Sequence, residues 1–136
     1  MHLILSLSQV NWLAILVSLV LSFALGAFWH SVLFKKGWSE DSNSKYNSEN
    51  HGNPAVIFGL SALLHFIAIV GLALFIGSES TALTGLLKGF IISTVWISTS
   101  IGVTYLFVGR TLRLFLIDAG FYVVFLSLAG LILGAC

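Results

Sequence analysis

Four long windows of apolar residues, almost free of charge, constrain this chain more than any other feature. They run Val10–Phe34, Ala55–Ile76, Gly85–Val108 and Leu114–Ala135. A helix needs about 20 apolar residues to cross the hydrocarbon core of a bilayer. None of the windows alternates apolar and polar residues as a barrel strand would, so helices are expected rather than a closed sheet. Composition agrees: 58% of the 136 residues are hydrophobic and 8% are charged. A soluble domain carries roughly 25% charged residues, so lipid must be the main solvent here. The first window is too long for the core of a secretory signal, and no Lys or Arg precedes Lys35, so it is expected to be retained as a span. A net charge of +1 gives no reason to expect nucleic acid as a partner. The single cysteine, Cys136, supports no intrachain disulfide and reads as inert.

The connections set the arrangement. Residues 35–54, KKGWSEDSNSKYNSENHGNP, are the one long polar segment and read as a solvated, mobile loop. Asn53-Pro54 has the form of a helix cap followed by proline at the first helical position. The next two connections, GSESTALT and GRTLR, are short, so their flanking spans should pack antiparallel. The expected fold is an all-α membrane protein, one domain of four transmembrane helices in an antiparallel bundle. Lys35, Lys36, Lys45, Arg110 and Arg113 fall on one side and Lys88 on the other. The positive-inside rule then places the first and third loops in the cytoplasm and both termini outside.

Lipid offers no hydrophobic drive for helices to associate, so close approach of small residues must do it. Ala14, Ser18, Ser22 and Gly26 recur every four residues on the first span and mark a contact face. Gly85 with Gly89, and Gly130 with Gly134, repeat the spacing, though each pair alone is weaker than the four-member series because glycine is common in membrane helices. Ser93, Thr94, Ser98, Thr99, Ser100 and Thr104 crowd the third span. They spread around more than one helix face, so most are expected to bond back to carbonyls of their own helix, the alternative being a polar seam that lines a cavity or a helix contact. Trp12, Trp29 and Trp38 fit an interfacial aromatic belt.

Ionisable residues inside the spans are the candidate functional groups. At about 1.5 Å per residue, His30 and Asp118 each lie about 7 Å inside the boundary marked by Lys35 and Arg113, with Tyr105 at the same level. His65 falls near the midplane, about 16 Å from Pro54, and Tyr122 lies one turn beyond Asp118 towards that level. A charge at the midplane costs at least about 2.5–3.5 kcal/mol on insertion scales, so such groups face the bundle interior and are paired. His65 is expected to be a neutral imidazole bonded to a hydroxyl or carbonyl. Asp118 is expected to be protonated or paired with His30, Tyr105 or an arginine. Two simpler readings stay open: His30 as an interfacial residue beside Trp29, and Asp118 as the cap of a shorter fourth helix.

No chemistry beyond this is signalled. His30 and His65 differ in depth by roughly 9 Å, which makes one copy a poor bis-histidine haem site. There is no metal-spaced Cys/His cluster, phosphate loop or nucleophile elbow. Neither cofactor nor enzymatic activity is expected. Four short spans leave little room for a pocket inside one copy, so homo-oligomers, or association with another membrane protein, are expected alongside lipid. The leading reading is an oligomeric conduit or carrier for protons, ions or a small solute. The alternative is an accessory or scaffolding subunit whose buried polar groups fix helix packing.

Three stretches also carry a resemblance. They are Val10-Asn11-Trp12-Leu13-Ala14-Ile15-Leu16-Val17, then Gly26-Ala27-Phe28-Trp29-His30-Ser31 running into Leu33-Phe34-Lys35-Lys36-Gly37-Trp38, and Leu114-Phe115-Leu116-Ile117-Asp118-Ala119-Gly120-Phe121-Tyr122 with the closing Gly130-Leu131-Ile132-Leu133-Gly134. Over nearly its full length the chain resembles the small bacterial membrane proteins of domain of unknown function 1761. The resemblance implies a four-span fold in a bacterial inner membrane and supplies no activity. The family usually has Tyr in place of His30 and Pro in place of Val32. It often has Asn in place of Asp118, and Tyr-His in place of Phe121-Tyr122. Such exchanges suit a hydrogen-bonding polar layer better than an obligatory acid–base site.

Overall fold

The computed structural model describes residues 10–42, 53–77 and 80–136. Among them every regular element is helical. The first span is α1, Trp12–Phe28, which continues as a π-helical segment, Trp29–Leu33. A short helix α2, Lys35–Ser42, follows directly. The second span is α3, Pro54–Ile76. The third comprises α4, Ala82–Ile92, a π-helical segment, Ser93–Ser98, and α5, Thr99–Val108. The fourth is α6, Leu112–Ala135. All four spans are long and apolar enough to cross a membrane, and short connections between the later ones make them antiparallel. This is a multi-pass membrane protein.

Local chemistry explains the helix limits. The side chains of Asn11, Asn53, Thr81 and Thr111 each accept from a backbone N–H in the first turn of the helix that follows. Each satisfies a donor that has no partner within the helix. At the other ends, α3 stops at Gly77 and α5 at Gly109, where φ of 82° and 83° favours glycine. Lys88 bends its ammonium back to donate to the Ile76 carbonyl at 3.2 Å, which places a cation at the C-terminal end of the α3 dipole.

α6 is the hub. Buried residues make up 44% of its apolar window, against 22% or less in the other spans. Its tightest contact is with α4, through the two glycine pairs. A Cβ added at Gly85 would collide with the Gly130 carbonyl, and one at Gly89 with that of Leu126. In return, Cβ atoms at Gly130 and Gly134 would strike the carbonyls of Gly85 and Thr81. Backbone touches backbone, which only glycine allows. The four-residue series on α1 makes a second contact face. Ala14, Ser18 and Ser22 are buried, while Gly26 meets the Phe121 ring. Around these contacts Ile15, Ile69, Leu72, Phe125, Leu126 and Ala129 form a dry core.

The hydroxyls of span three bond mainly within their own helix. Ser93 donates to Gly89, Ser98 to Ser93, Thr99 to Val95, Ser100 to Trp96 and Thr104 to Ser100. The Ser98 bond reaches five residues back, matching the π-helical turn between α4 and α5.

One expectation is corrected. Residues 35–54 are not loop throughout, because Lys35–Ser42 is helical. The cause is tertiary. Gly37 leaves room for Ile117 and Arg113 of α6, and the carboxylates of Glu40 and Asp41 both bond Arg113. Residues 43–52, including Lys45, lie outside the described residues.

The glycine contact makes a sharp prediction. Gly85→Leu and Gly130→Leu should each destabilise the bundle by at least about 1–3 kcal/mol, the usual range for overpacking. Gly71→Ala, where nothing lies within 4 Å, should not destabilise the bundle and should add up to about 1 kcal/mol, the advantage of alanine over glycine inside a helix. Thermal unfolding in one detergent, followed by circular dichroism, compares them directly.

Candidate functional site

Near the α2 end of the bundle, polar side chains from three spans meet. The π-helical segment after α1 carries Trp29 and His30 towards α6. Trp29 Nε1 donates to the Ile117 carbonyl at 2.8 Å, and its ring lies over Gly120, where a Cβ would stand 3.3 Å from it. His30 lies beside Asp118, with Nε2 and Oδ1 3.1 Å apart, while His30 Nδ1 is 3.0 Å from the Gly26 carbonyl. From α5 the Tyr105 hydroxyl donates to the other carboxylate oxygen of Asp118. Three residues assigned to one depth are therefore in contact. Trp38 of α2 and Phe121 of α6 flank the imidazole, each with its ring centroid 5.3 Å away.

One simpler reading gives way: Asp118 is not a helix cap, since α6 begins at Leu112 under the Thr111 cap. Both nitrogens of His30 face protein oxygens.

His65 departs from expectation in another way. It sits among the rings of Phe23, Phe125 and Tyr122, at centroid distances of 5.9, 5.5 and 6.2 Å. Its Nδ1 is buried and has no hydrogen-bond partner, so an aromatic cage takes the place of the expected hydroxyl or carbonyl. An unpaired buried nitrogen is costly, and it persists where surrounding packing or function over-determines it.

His30, His65, Tyr105, Asp118 and Tyr122 all line one cleft of about 640 Å³, with Ser22, Ser61 and Trp38 also on its wall. One copy, expected to leave little room for a pocket, holds this cleft between its spans. The reason is uneven packing of α3. Its contacts with the third span concentrate on α4, at the connected end, leaving space towards α5. Beyond His65 the dry core closes the other end of the cleft.

The remaining candidates divide between wall and surface. Gly26 joins the cleft wall, whereas Ala14 and Ser18 are buried in helix contacts and Gly130 and Gly134 hold α4. Trp12 lies half exposed near the opposite end, stacked on Phe66 at 6.3 Å. Trp29 and Trp38, expected in an interfacial belt, have partners within the protein. Sequence reasoning missed Ser61 and the docking of α2. A lone serine gives no signal, and the Glu40–Asp41 pair reads as ordinary loop charge until Arg113 is seen beside it. Among the described residues no group of three or more His, Cys, Asp or Glu is placed to hold a metal ion.

The sequence profile described as protein of unknown function (DUF1761) matches residues 13–134. The chain belongs to the DUF1761 family. The match takes in all four spans and every polar residue of the cleft, so the resemblance drawn from its motifs stands. No curated protein matches the chain, and no solved structure does.

In this DUF1761 chain, α2 forms part of the cleft wall and an ion pair fastens it. Asp41 accepts from Arg113 Nε at 2.7 Å and Nη2 at 2.8 Å, and from the Thr111 hydroxyl at 2.7 Å. Arg113, then Thr111, holds the Asp41 carboxyl down at about 2 against an ordinary 3.8. A lowered folded value means the stabilisation is complete above the unfolded value and disappears as pH falls through the folded one. Acidification from about pH 4 to pH 2 should therefore release α2 and change Trp38 emission. Asp41→Asn should show the released signal at neutral pH, and salt should weaken the wild-type contact.

Proposed function

We propose that this protein is a carrier that binds a small solute in its intramembrane cleft, and that it is not an enzyme. One observation carries the reading: His30, His65, Tyr105, Asp118 and Tyr122, drawn from all four spans, converge on a single cleft. Ionisable groups are expensive in a bilayer and are retained chiefly along solute or proton pathways. Aromatic walls with a few convergent polar groups are the ordinary composition of a small-molecule site. The cleft is complete within one copy, so the reading does not need an oligomer to assemble a path, as an oligomeric conduit would.

Its closed end favours a carrier over an open pore. Ile69, Leu72, Phe125 and Ala129 fill the bundle beyond His65 and supply no polar relay. A site open on one side and sealed on the other is one state of an alternating cycle. With the orientation given by the positive-inside rule, the polar end of the cleft lies towards the cytoplasmic side of a bacterial inner membrane. The scaffolding alternative makes the opposite demand, that the cleft be dry and serve packing alone.

Thiol accessibility separates the two. In a Cys136→Ser background, Ser61→Cys lines the cleft, whereas Leu63→Cys, at a residue 52% exposed on the outer surface of the bundle, faces lipid. Only a thiolate reacts, and it needs water, so a charged methanethiosulfonate should modify Ser61→Cys faster by about tenfold or more. Equal, slow rates would mean a dry cleft and sink the carrier reading in favour of a scaffold.

A further inference from the structure

The hydrogen-bond geometry of His30 fixes more than a contact. The Gly26 carbonyl can only accept, so the imidazole nitrogen 3.0 Å from it, Nδ1, must carry a hydrogen to bond there. The other nitrogen, Nε2, faces Asp118 Oδ1 at 3.1 Å. If Nε2 also carries a hydrogen, the ring is an imidazolium beside a carboxylate. If Nε2 is bare, the hydrogen between them must sit on Asp118 as a carboxylic acid. Each arrangement contains one proton more than a neutral histidine and an ionised aspartate. The remaining tautomer, with hydrogen on Nε2 alone, sets the Nδ1 lone pair against a carbonyl oxygen at 3.0 Å, where two electron-rich atoms repel. Tyr105 does not supply the missing hydrogen, because its hydroxyl donates to the other carboxylate oxygen.

We propose that the His30–Asp118 pair is a binding site for one proton, occupied when the two residues are bridged and vacated when they part. Loading is a simple addition: one proton from water joins a neutral imidazole and a carboxylate, and no other bond is made or broken. Both side chains are about one-fifth exposed and lie on the cleft, so water in it can deliver the proton. The groups facing the pair leave it the task. α5 contributes Tyr105, on which the charge of Arg110 acts, and α6 contributes Tyr122. α2 contributes the uncharged Trp38, and α3 contributes Ser61 and His65. Without its proton the pair loses one of the two bonds: hydrogen on Nδ1 leaves a bare Nε2 against the carboxylate, and hydrogen on Nε2 leaves a bare Nδ1 against the Gly26 carbonyl. That the proton serves as the coupling ion of transport rests on the carrier reading; that the pair binds it does not.

The test uses full-length protein with [15N]histidine in lipid nanodiscs, the His30 signals being assigned by elimination with His2→Gln, His51→Gln and His65→Gln. The bridged wild type should show hydrogen on Nδ1. On raising the pH it should lose one proton, with Nε2 and the Asp118 carboxyl infrared band responding at a single midpoint. In Asp118→Asn the amide can donate to a bare Nε2, so this titration should vanish while the Nδ1 hydrogen stays. Hydrogen on Nε2 alone beside an ionised Asp118 would overturn the proposal, and the wild-type spectrum decides this even if the variant fails to fold. The same preparation carrying Ser61→Cys reports separately on the cleft. A dry cleft around a titrating pair defeats the carrier, whereas a wet cleft around a pair without the extra proton defeats the proton site.

Discussion

The direct backbone contact between α4 and α6 is what the rest of this molecule depends on. In lipid there is no apolar surface to hide, so helices hold together by atomic contact and hydrogen bonds. Gly85, Gly89, Gly130 and Gly134 bring two backbones together where any side chain would collide. That contact sets α6 at the centre and lets α1 and α3 pack around its remaining faces through Ala14, Ile15, Ile69 and Leu72. It also lies at the end of the bundle away from α2. Close packing at one end leaves the other free to diverge, and the polar cleft is the space that results.

The same division separates two kinds of chemistry. Next to the glycine contact the buried hydroxyl of Ser93 turns inward to its own helix and offers nothing across the bundle. At the α2 end the polar groups reach between helices: Trp29 to Ile117, His30 to Asp118 and Tyr105 to Asp118. Asp118 therefore connects three spans through one carboxyl group. The second ion pair of this region joins Asp41 of α2 to Arg113 in the first turn of α6, and it weakens as acid protonates the Asp41 carboxyl.

Much of this was legible before any coordinates. Hydropathy placed the spans, because the bilayer imposes a length that few other environments demand. Counting residues from the basic boundaries put His30, Asp118 and Tyr105 at one level, since helical rise is nearly constant. What escaped was whatever depends on which faces meet. The glycine pairs looked individually weak because spacing does not reveal that one pair lies against the other. α2 was hidden in a polar segment because its stability comes from Arg113, far along the chain. The cleft was invisible because its volume follows from how α3 leans, which periodicity does not encode. The unpaired Nδ1 of His65 has the same origin: depth was readable, but the aromatic neighbours that replaced a hydrogen bond were not.

The tight turn at Gly109 carries a mechanical consequence. Residues 109–111 are all that separate α5 from α6, so Tyr105 and Asp118 sit on two arms of one hairpin and cannot travel far apart. α1 is stitched to that hairpin by the Trp29 and His30 bonds. α3 is different, for among the described residues its hydrogen bond to another span comes from Lys88 at the Ile76 end, far from the polar cluster. Along the cleft it is held by ring contacts alone, Phe58 on Phe23 and His65 on Phe23, Tyr122 and Phe125. A solute that slid between those rings would part this wall without breaking a hydrogen bond.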